Sequence, residues 1–556
     1  MSAHGRTLVS EVVGQTLAEL GVSHVFGVVG SGNFEATEAL VRAGASFVGT
    51  RHESAATGAA DAYWRTSGAI AVCTVHQGPG LTNTLTALAD AAKARSALVV
   101  IAGATSAGAT RSNFYIDQAR LVEAAGGVAE RIYGAATVAQ DVRRAYRRAL
   151  VERRPVVLDM PLDVQGEVIV GPLPPSAPVA PLPRTVPAAD SLDALARAVR
   201  AASRPVIVAG RGAWQSGGTE QITDLAEAIG AALATTALAK GMFAGHARDV
   251  GIAGGFSDQP AVEALESADL ILALGASLTT WTTRGDTIFD HAPTVVQVDD
   301  DPVSLSLNDH VDLEVLGDVR ETVSALLETL RAEGAAATVV EPEPRGLQER
   351  EVDADETAGA GDRATDRRCH PGDITCALDE ILPAARTLVV DGGHFIGWPV
   401  RCIGVPDPAG FVFSSAGFQS IGLGIGAAIG AAVARTDRLT VLAAGDGGLL
   451  MSLPELETLS RLDHPVAVII YNDAAYGAEV HHFRRLGSGL DLVQFPETDF
   501  ASVAATLGLR SSVVRGTDDL ADFRSWCGEP NGAYVLDLRI DPDVVGPWAE
   551  QDFLGH

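Results

Sequence analysis

The chain has 556 residues, of which 47% are apolar and 20% charged, and a formal net charge of −29. This length suits about three domains, and the acidity disfavours nucleic acid as a partner, because no basic patch with interleaved aromatics is present. The cysteines (Cys73, Cys369, Cys376, Cys402, Cys527) follow no metal-ligand or CxxC spacing, the N-terminus lacks a signal-peptide core, and no apolar run approaches the roughly 18 residues of a membrane span. The expectation is a cytoplasmic enzyme with no membrane partner.

The first block, residues 1–175, alternates apolar runs at 22–29, 69–75, 97–102 and 155–160 with helical patterns, which predicts a parallel α/β domain. Gly30-Ser31-Gly32-Asn33 and Val75-His76-Gln77-Gly78-Pro79-Gly80 lie near the strand ends. A strand-like run at 45–48 leads into Thr50-Arg51-His52-Glu53, and an apolar helix pattern continues to Trp64. Glu53 therefore stands at a helix start, where the macrodipole favours an acid. Tyr115-Ile116-Asp117-Gln118 comes later in the block, and residues 171–190 are so Pro-rich that they read as an extended linker.

The second block, 190–335, has strand candidates at 205–209, 270–274 and 294–298. Gly210-Arg211-Gly212 follows the first. It is a fragment of a dinucleotide signal without a full GxGxxG and reads more simply as a tight strand-to-helix turn. Residues 336–370 show no apolar periodicity and read as a second linker.

The third block, 371–556, has strand candidates at 387–390, 411–413, 439–444, 466–471 and 534–538. Between 444 and 466 a helical pattern places Leu453, Leu456, Leu459 and Leu462 on one face, with Ser452 and Glu455 at capping-box spacing. The segment is thus a βαβ unit. The Gly/Ala-rich stretch 421–434 reads as a tightly packed core helix. The first and third blocks match in size and strand pattern, as expected if one fold is used twice. The fold class predicted is α/β, with three doubly wound parallel-sheet domains.

The βαβ unit carries acids at both strand ends. Asp446 lies in Gly445-Asp446-Gly447-Gly448, and Asn472-Asp473 follows the second strand, the two aspartates being 27 positions apart. Adjacent parallel strands bring these ends together at the ligand-binding edge. Two hard oxygen ligands suit Mg²⁺, which binds a few carboxylates together with phosphate oxygens, and the glycines allow backbone amides to approach phosphate.

This constellation resembles the diphosphate-binding motif of thiamine diphosphate (ThDP) enzymes of the 2-oxo acid decarboxylase and acetolactate synthase group, Gly-Asp-Gly followed by Asn-Asn, here with Asp473 at the second Asn. The resemblance implies Asp446, Asp473 and the Ala475 carbonyl as Mg²⁺ ligands, with Tyr476-Gly477 beside them. It implies Glu53 as the acid that activates the aminopyrimidine ring, and Arg51-His52-Glu53 looks like the local sequence of acetolactate synthases and benzaldehyde lyase. Ile421 would support the bent cofactor, with the Gln419 carbonyl near the aminopyrimidine. Asp391-Gly392-Gly393-His394-Phe395 would form the second wall of the diphosphate pocket. The likeness covers nearly the whole chain, in the order pyrimidine-binding, central and diphosphate-binding. It implies a homodimer or homotetramer in which Glu53 of one subunit reaches the cofactor of another.

For the reaction, Ser31 and His76 resemble a Ser and a His of benzoylformate decarboxylase that contact the substrate carboxylate and relay protons, a task suited to imidazole. Gln77-Gly78-Pro79-Gly80 retains the Gly-Pro-Gly turn of acetolactate synthases. Tyr476-Gly477-Ala478-Glu479 resembles the Tyr-Thr-Ile-Glu of pyruvate and indolepyruvate decarboxylases, with Glu479 facing the substrate and His481 or His482 lining the same cleft. Gln118 stands where carboligases often have Phe-Gln. Gly275-Ala276-Ser277-Leu278-Thr279-Thr280-Trp281 departs from the Arg-Phe-Asp-Asp-Arg of flavin-dependent acetolactate synthases, which speaks against FAD. The reading is a ThDP- and Mg²⁺-dependent decarboxylase of a small 2-oxo acid, with carboligation to an aldehyde or ketone as the companion activity. An acetolactate synthase-type carboligase, a flavin or nicotinamide oxidoreductase, and a non-catalytic ThDP-fold subunit are the alternatives; the last has no need of Glu53.

Overall fold

The computed structural model describes residues 7–170, 179–180, 182–291, 293–305, 307–332, 368–487 and 489–549. The second expected linker lies almost wholly outside the described residues, as does 171–178 of the Pro-rich one.

Strands Thr7–Leu8 (β1), His24–Gly27 (β2), Ser46–Gly49 (β3), Val72–Val75 (β4), Leu98–Ala104 (β5), Val128–Arg131 (β6), Pro155–Pro161 (β7) and Val168–Ile169 (β8) come from the first block. Pro205–Ala209 (β9), Ala232–Thr235 (β10), Asp249–Ile252 (β11), Leu270–Leu274 (β12), Thr294–Asp299 (β13) and Leu313–Leu316 (β14) come from the second. The third supplies Arg386–Val390 (β15), Phe411–Phe413 (β16), Leu439–Gly445 (β17), Val466–Asn472 (β18), Arg510–Val514 (β19) and Ala533–Arg539 (β20).

They form three six-stranded sheets, ordered β3-β2-β4-β5-β7-β6, β11-β10-β9-β12-β13-β14 and β16-β15-β17-β18-β20-β19, with β1 and β8 paired apart as an antiparallel ribbon. The first and third sheets share one strand order, which bears out a fold used twice, and the central sheet has the order of dinucleotide-binding folds. The pairings of β2 with β3 and β4, and of β17 with β15 and β18, are parallel. Helices cover both faces of such sheets, so the inner strands β5 and β18 are buried along their whole length.

Two compact units divide the chain. One comprises residues 1–181, 364–396 and 412–542 and holds the first and third sheets; the other comprises 182–363, 397–411 and 543–556 and holds the central sheet. The stretch 397–411, expected in the third block, belongs with the central unit. There Lys240 donates to the Val400 carbonyl, Arg401 pairs with Asp258 at 2.8 Å, and Trp548 packs edge-on against Trp398.

Within the first unit, the helix Gly424–Ala434 lies against the helix Glu53–Ser67, and one hydrophobic core runs through both blocks. The contact depends on small residues. A Cβ at Gly426 would sit 2.7 Å from the Ala55 carbonyl oxygen, and one at Gly430 would overlap the Ala59 carbonyl. The opposing atoms are helix backbone and cannot swing away. Gly430→Ala is therefore expected to destabilise the chain by about 1–3 kcal/mol despite its gain in helix propensity, measured by urea unfolding.

The βαβ unit departs from expectation in one respect. The single helix predicted between its strands is two, Asp446–Met451 and Glu455–Ser460. Pro454 lacks an N–H and clashes with the preceding turn, which ends the first helix. The capping box does not form either: the Ser452 hydroxyl has no partner, and Glu455, only 1% exposed, points to another segment. Among the described residues no helix is long and apolar enough to cross a membrane.

Candidate active site

Open α/β sheets bind ligands outside the carboxyl ends of their strands, where the strand order reverses. In the third sheet that point lies between β15 and β17, whose ends carry Asp391–Phe395 and Gly445–Gly448. In the first it lies between β2 and β4, whose ends carry Gly30–Asn33 and His76–Gly80.

On the third sheet, Asp446 and Asp473 are 2% and 9% exposed and face each other within hydrogen-bond reach. Asp446 accepts from Gly447 N at 2.9 Å and Ala474 N at 2.8 Å; Asp473 accepts from Ala475 N at 3.2 Å. Burial lifts both carboxyls above the usual range, and the Asp473 charge lifts Asp446 further. The turn after Asp473 puts Ala474 at φ +59, a left-handed conformation that is costly for a residue with a side chain. The turn is tied to the segment 493–495, Tyr476 N donating to Val493 O and Phe495 N to Ala474 O, and no described residue donates to the Ala475 carbonyl. The two buried carboxylates could hold a hard divalent cation, which would also relieve their repulsion.

The remaining residues expected on this side gather around the pair. A Cβ at Gly392 would lie 2.9 Å from Ile421 Cγ2, and one at Gly448 3.7 Å from Ile421 Cβ, so Ile421 stands directly over two glycine turns. Phe395 stacks on Tyr471 and lies against Gly445, and the Tyr476 ring lies against Gly447. A Cβ at Gly477 would overlap the His394 ring and approach Asp473 Oδ2 to 2.5 Å. His394 is buried, 3.9 Å from Asp473 and edge-on to His481; burial, with His481 beside it, pushes its pKa down to about 3, so the ring is neutral. Gly393 holds a φ of +139 in the turn before it. Gln419 is exposed at φ +58, just before Ile421. In the helix Gly477–Phe483, Glu479 and His482 are exposed, and His481 is the histidine that packs on His394.

Two residues hold the Ile421 loop. Asp391, 1% exposed, accepts from Gly392 N and Gly422 N, both at 2.9 Å. Asp90 accepts from Gly417 N and Phe418 N at 3.1 and 2.9 Å, while Arg65 pairs with Asp61 and Asp90 and donates to Phe413 O. Burial pushes Asp391 up to about 6. Because this lies above the unfolded value, its stabilising contribution is full below about pH 4 and declines as pH rises through about 6. Asp391→Asn is expected to abolish that part of the pH dependence of unfolding. It should also cost about 1–3 kcal/mol, because an amide cannot accept from both loops as the carboxylate does.

On the first sheet, Glu53 opens its helix, capped by His52 Nδ1, which accepts from Ser54 N at 3.1 Å. Glu53 is half-buried and accepts from Asn83 Nδ2 at 2.9 Å. His76 Nε2 lies 3.3 Å from Ser31 Oγ, and its Nδ1 lies 3.0 Å from the Gln77 carbonyl, which must receive a proton from it. In the neutral ring Nε2 is therefore the acceptor. Phe114 packs edge-on to the imidazole at 5.1 Å. Asn33 ties the Ser31 turn to β4, accepting from Gly30 N and donating to Thr74 Oγ1, both at 2.8 Å.

Gln118 is buried and its amide is engaged at both ends: it accepts from Gly78 N and donates to Gly103 O and Asp159 Oδ1. It fixes the Gly78-Pro79-Gly80 turn rather than presenting itself to a donor. Asn83, Asp90 and Phe114 carried no motif that would single them out, and Asn33 was quoted only as part of the Ser31 turn. Among the described residues no hydrogen bond joins Glu53 to the Asp446–Asp473 group within the chain.

At the reversal point of the central sheet, Gly210 N donates to Leu274 O and Gly212 N to Gly275 O, and a Cβ at Gly210 would overlap the Gly275 carbonyl. The turn is a packing contact between two glycine peptides, and both glycine amides are already donated.

Three family models match the chain: the N-terminal TPP binding domain of thiamine pyrophosphate enzymes over residues 8–121, the central domain over 192–326 and the C-terminal TPP binding domain over 391–537. A "Probable acetolactate synthase large subunit" of Methanocaldococcus jannaschii is 28% identical, over 97% of this chain and 93% of that protein. A sulfoacetaldehyde acetyltransferase of Castellaniella defragrans is 27% identical, over 92% and 89%. A solved structure from Mycobacterium smegmatis, described as a "putative thiamin diphosphate-dependent enzyme", has the same fold, with a TM-score of 0.78 at 20% identity over 96% of this chain and 100% of that one.

Proposed function

The chain belongs to the thiamine pyrophosphate enzyme family, and from that premise we propose a ThDP- and Mg²⁺-dependent enzyme of the acetolactate synthase and acyltransferase type that decarboxylates a 2-oxo acid. The observation that carries the proposal is the buried Asp446–Asp473 pair with the Ala475 carbonyl, set beside Ile421 and its two glycine turns. Asp446, Asp473 and Ala475 would hold Mg²⁺. The Gly393 and Gly448 amides would serve the diphosphate, the Gly392 and Gly447 turns, whose own amides go to Asp391 and Asp446, would let it approach closely, and His394, Phe395, Tyr476 and Gly477 would wall it in. When bound, the cofactor supplies an electron sink for a carbonyl carbon whose carboxylate departs.

The other steps are proton handling and orientation by the chain. Glu53 holds a proton at the aminopyrimidine, aimed by Asn83. Ser31 Oγ and, in the protonated ring, His76 Nε2–H donate to the substrate carboxylate, and His76 then hands that proton to the reacting carbon. Phe114 restricts the imidazole and keeps water off that side. Glu479, if brought inward in the assembled enzyme, supplies a second acid.

The assembly proposed is a homodimer or homotetramer. It follows the family resemblance, in which Glu53 of one subunit reaches the cofactor held by another. Both cofactor-binding edges also expose large apolar side chains: Phe34 (57%) and Phe114 (43%) on one, Met451 (57%) and Phe418 (44%) on the other. The Ser31–His76 pair favours protonation and release as an aldehyde, whereas the Gly-Pro-Gly turn and the named activities of the relatives favour transfer of the acyl unit to an acceptor. A panel of 2-oxo acids with ThDP and Mg²⁺, with and without an aldehyde or ketone, tests the proposal by CO₂ release and product identity. No CO₂ from any acid would overturn it.

A further inference from the structure

The loop that delivers Glu53 is gripped from outside its own sheet. Glu455 Oε1 accepts from Arg51 N at 2.9 Å and from His52 N at 2.8 Å, and its Oε2 accepts from Thr458 Oγ1 at 2.6 Å. The side chain is 1% exposed and its two oxygens hold three donors. Around it, Arg461 donates to the Gly49 carbonyl and to Thr458, and Glu457 bridges Arg51 and Arg461 at 2.6 and 2.9 Å. Thus the short helix Glu455–Ser460 and its C-cap residue Arg461 fasten four points of the chain just before Glu53: the Gly49 carbonyl, the Arg51 side chain, and the Arg51 and His52 amides. Local sequence explains none of this, since the partners are about 400 positions apart. The carboxylate is also more than a packing residue needs, because burying a charge is costly unless every lone pair is used.

We propose that Glu455 is a positioning residue for Glu53, fixing the peptide that carries it so that its carboxyl meets the aminopyrimidine. The inference rests on the function proposed above. Since the same helix pair begins at Asp446, the segment that holds the cation also sets the aim of the proton donor offered to the neighbouring site.

The test uses the full-length enzyme and two measurements: exchange of the thiazolium C2 hydrogen of bound ThDP with solvent deuterium, and deuterium uptake at residues 50–52 in the cofactor-free protein. Glu455→Ala should slow C2 exchange by about 10²-fold, the cost of an ångström-scale misplacement. ThDP affinity by calorimetry should be unchanged, and the Arg51 and His52 amides should lose protection. Glu455→Gln, whose amide oxygen can still accept from both N–H groups, should restore protection and most of the exchange rate. If Glu455→Ala does not fold, Arg461→Ala, at a side chain 41% exposed, should give a smaller loss of the same kind with unchanged melting. Wild-type exchange in both Ala variants, or a loss matched by loss of ThDP binding, overturns the proposal. Glu53→Gln separates the two levels: if it exchanges at the wild-type rate, the functional reading itself fails, whereas if it alone is slow, only the role of Glu455 fails.

Discussion

Glu53→Gln is expected to lower turnover of a 2-oxo acid by about 10²–10⁴-fold, the range for loss of a positioned acid–base group, while leaving ThDP and Mg²⁺ affinity nearly intact. The substitution is isosteric and Glu53 is half-buried at a helix start, so the fold should tolerate it. The helix it opens is capped by His52, not by Glu53, and its neighbouring peptides are held by Glu455. The glutamine carbonyl can still accept from Asn83, so the side chain stays in place and only its ability to hand over and take back a proton is removed. The expected signature is therefore a fall in kcat with little change in KM or in cofactor affinity. Rates with pyruvate and benzoylformate, with calorimetry of ThDP binding, provide the check. Turnover within a few-fold of wild type would remove Glu53 from the chemistry.

How far the sequence led depended on the range over which each feature is determined. Strands buried on both faces were legible where they leave a continuous apolar run: β9, β12 and the buried edge strand β16 have the predicted limits, and β17 and β18 extend theirs by one residue. The edge strands β6, β11 and β19 were missed because they are half-exposed, and Val128–Arg131 or Arg510–Val514 has no run to read. The acid pair was legible because two strand ends of a βαβ unit must adjoin. Glu455 was misread for the opposite reason: its spacing from Ser452 fits a capping box, but Pro454 interrupts the helix, and the amides of Arg51 and His52, absent from the local sequence, take the carboxylate. Gln118 likewise carried a motif position but is held by Gly78, Gly103 and Asp159. Asp391 was quoted for its glycines, whereas its carboxylate, which ties Gly392 to Gly422, became visible only with the fold.

Asp446→Ala is expected to abolish the stabilisation that ThDP and divalent cation confer on the folded chain. For a ligand at a hundredfold excess over its Kd that stabilisation is about 2.7 kcal/mol. The two carboxyls are buried face to face, and both are pushed above their ordinary range by burial, Asp446 additionally by the charge of Asp473. A folded-state pKa raised above the unfolded value gives a contribution that is full in acid and is lost as pH rises through the raised values. The metal-free protein should therefore lose stability between acid and neutral pH as the pair loses its proton. A divalent cation takes the place of that proton and should flatten or reverse the slope, because its ligands must be deprotonated. Asp473→Asn removes one of the two charges: the metal-free protein should become less sensitive to pH, and Mn²⁺ or Mg²⁺ should bind more weakly in the absence of ThDP. Melting curves across this pH span, in chelator and in excess cation, read both effects without any substrate. If the cation leaves the melting temperature of the wild-type chain unmoved at neutral pH, the pair does not form a metal site, and the glycine turns beneath Ile421 would need another occupant.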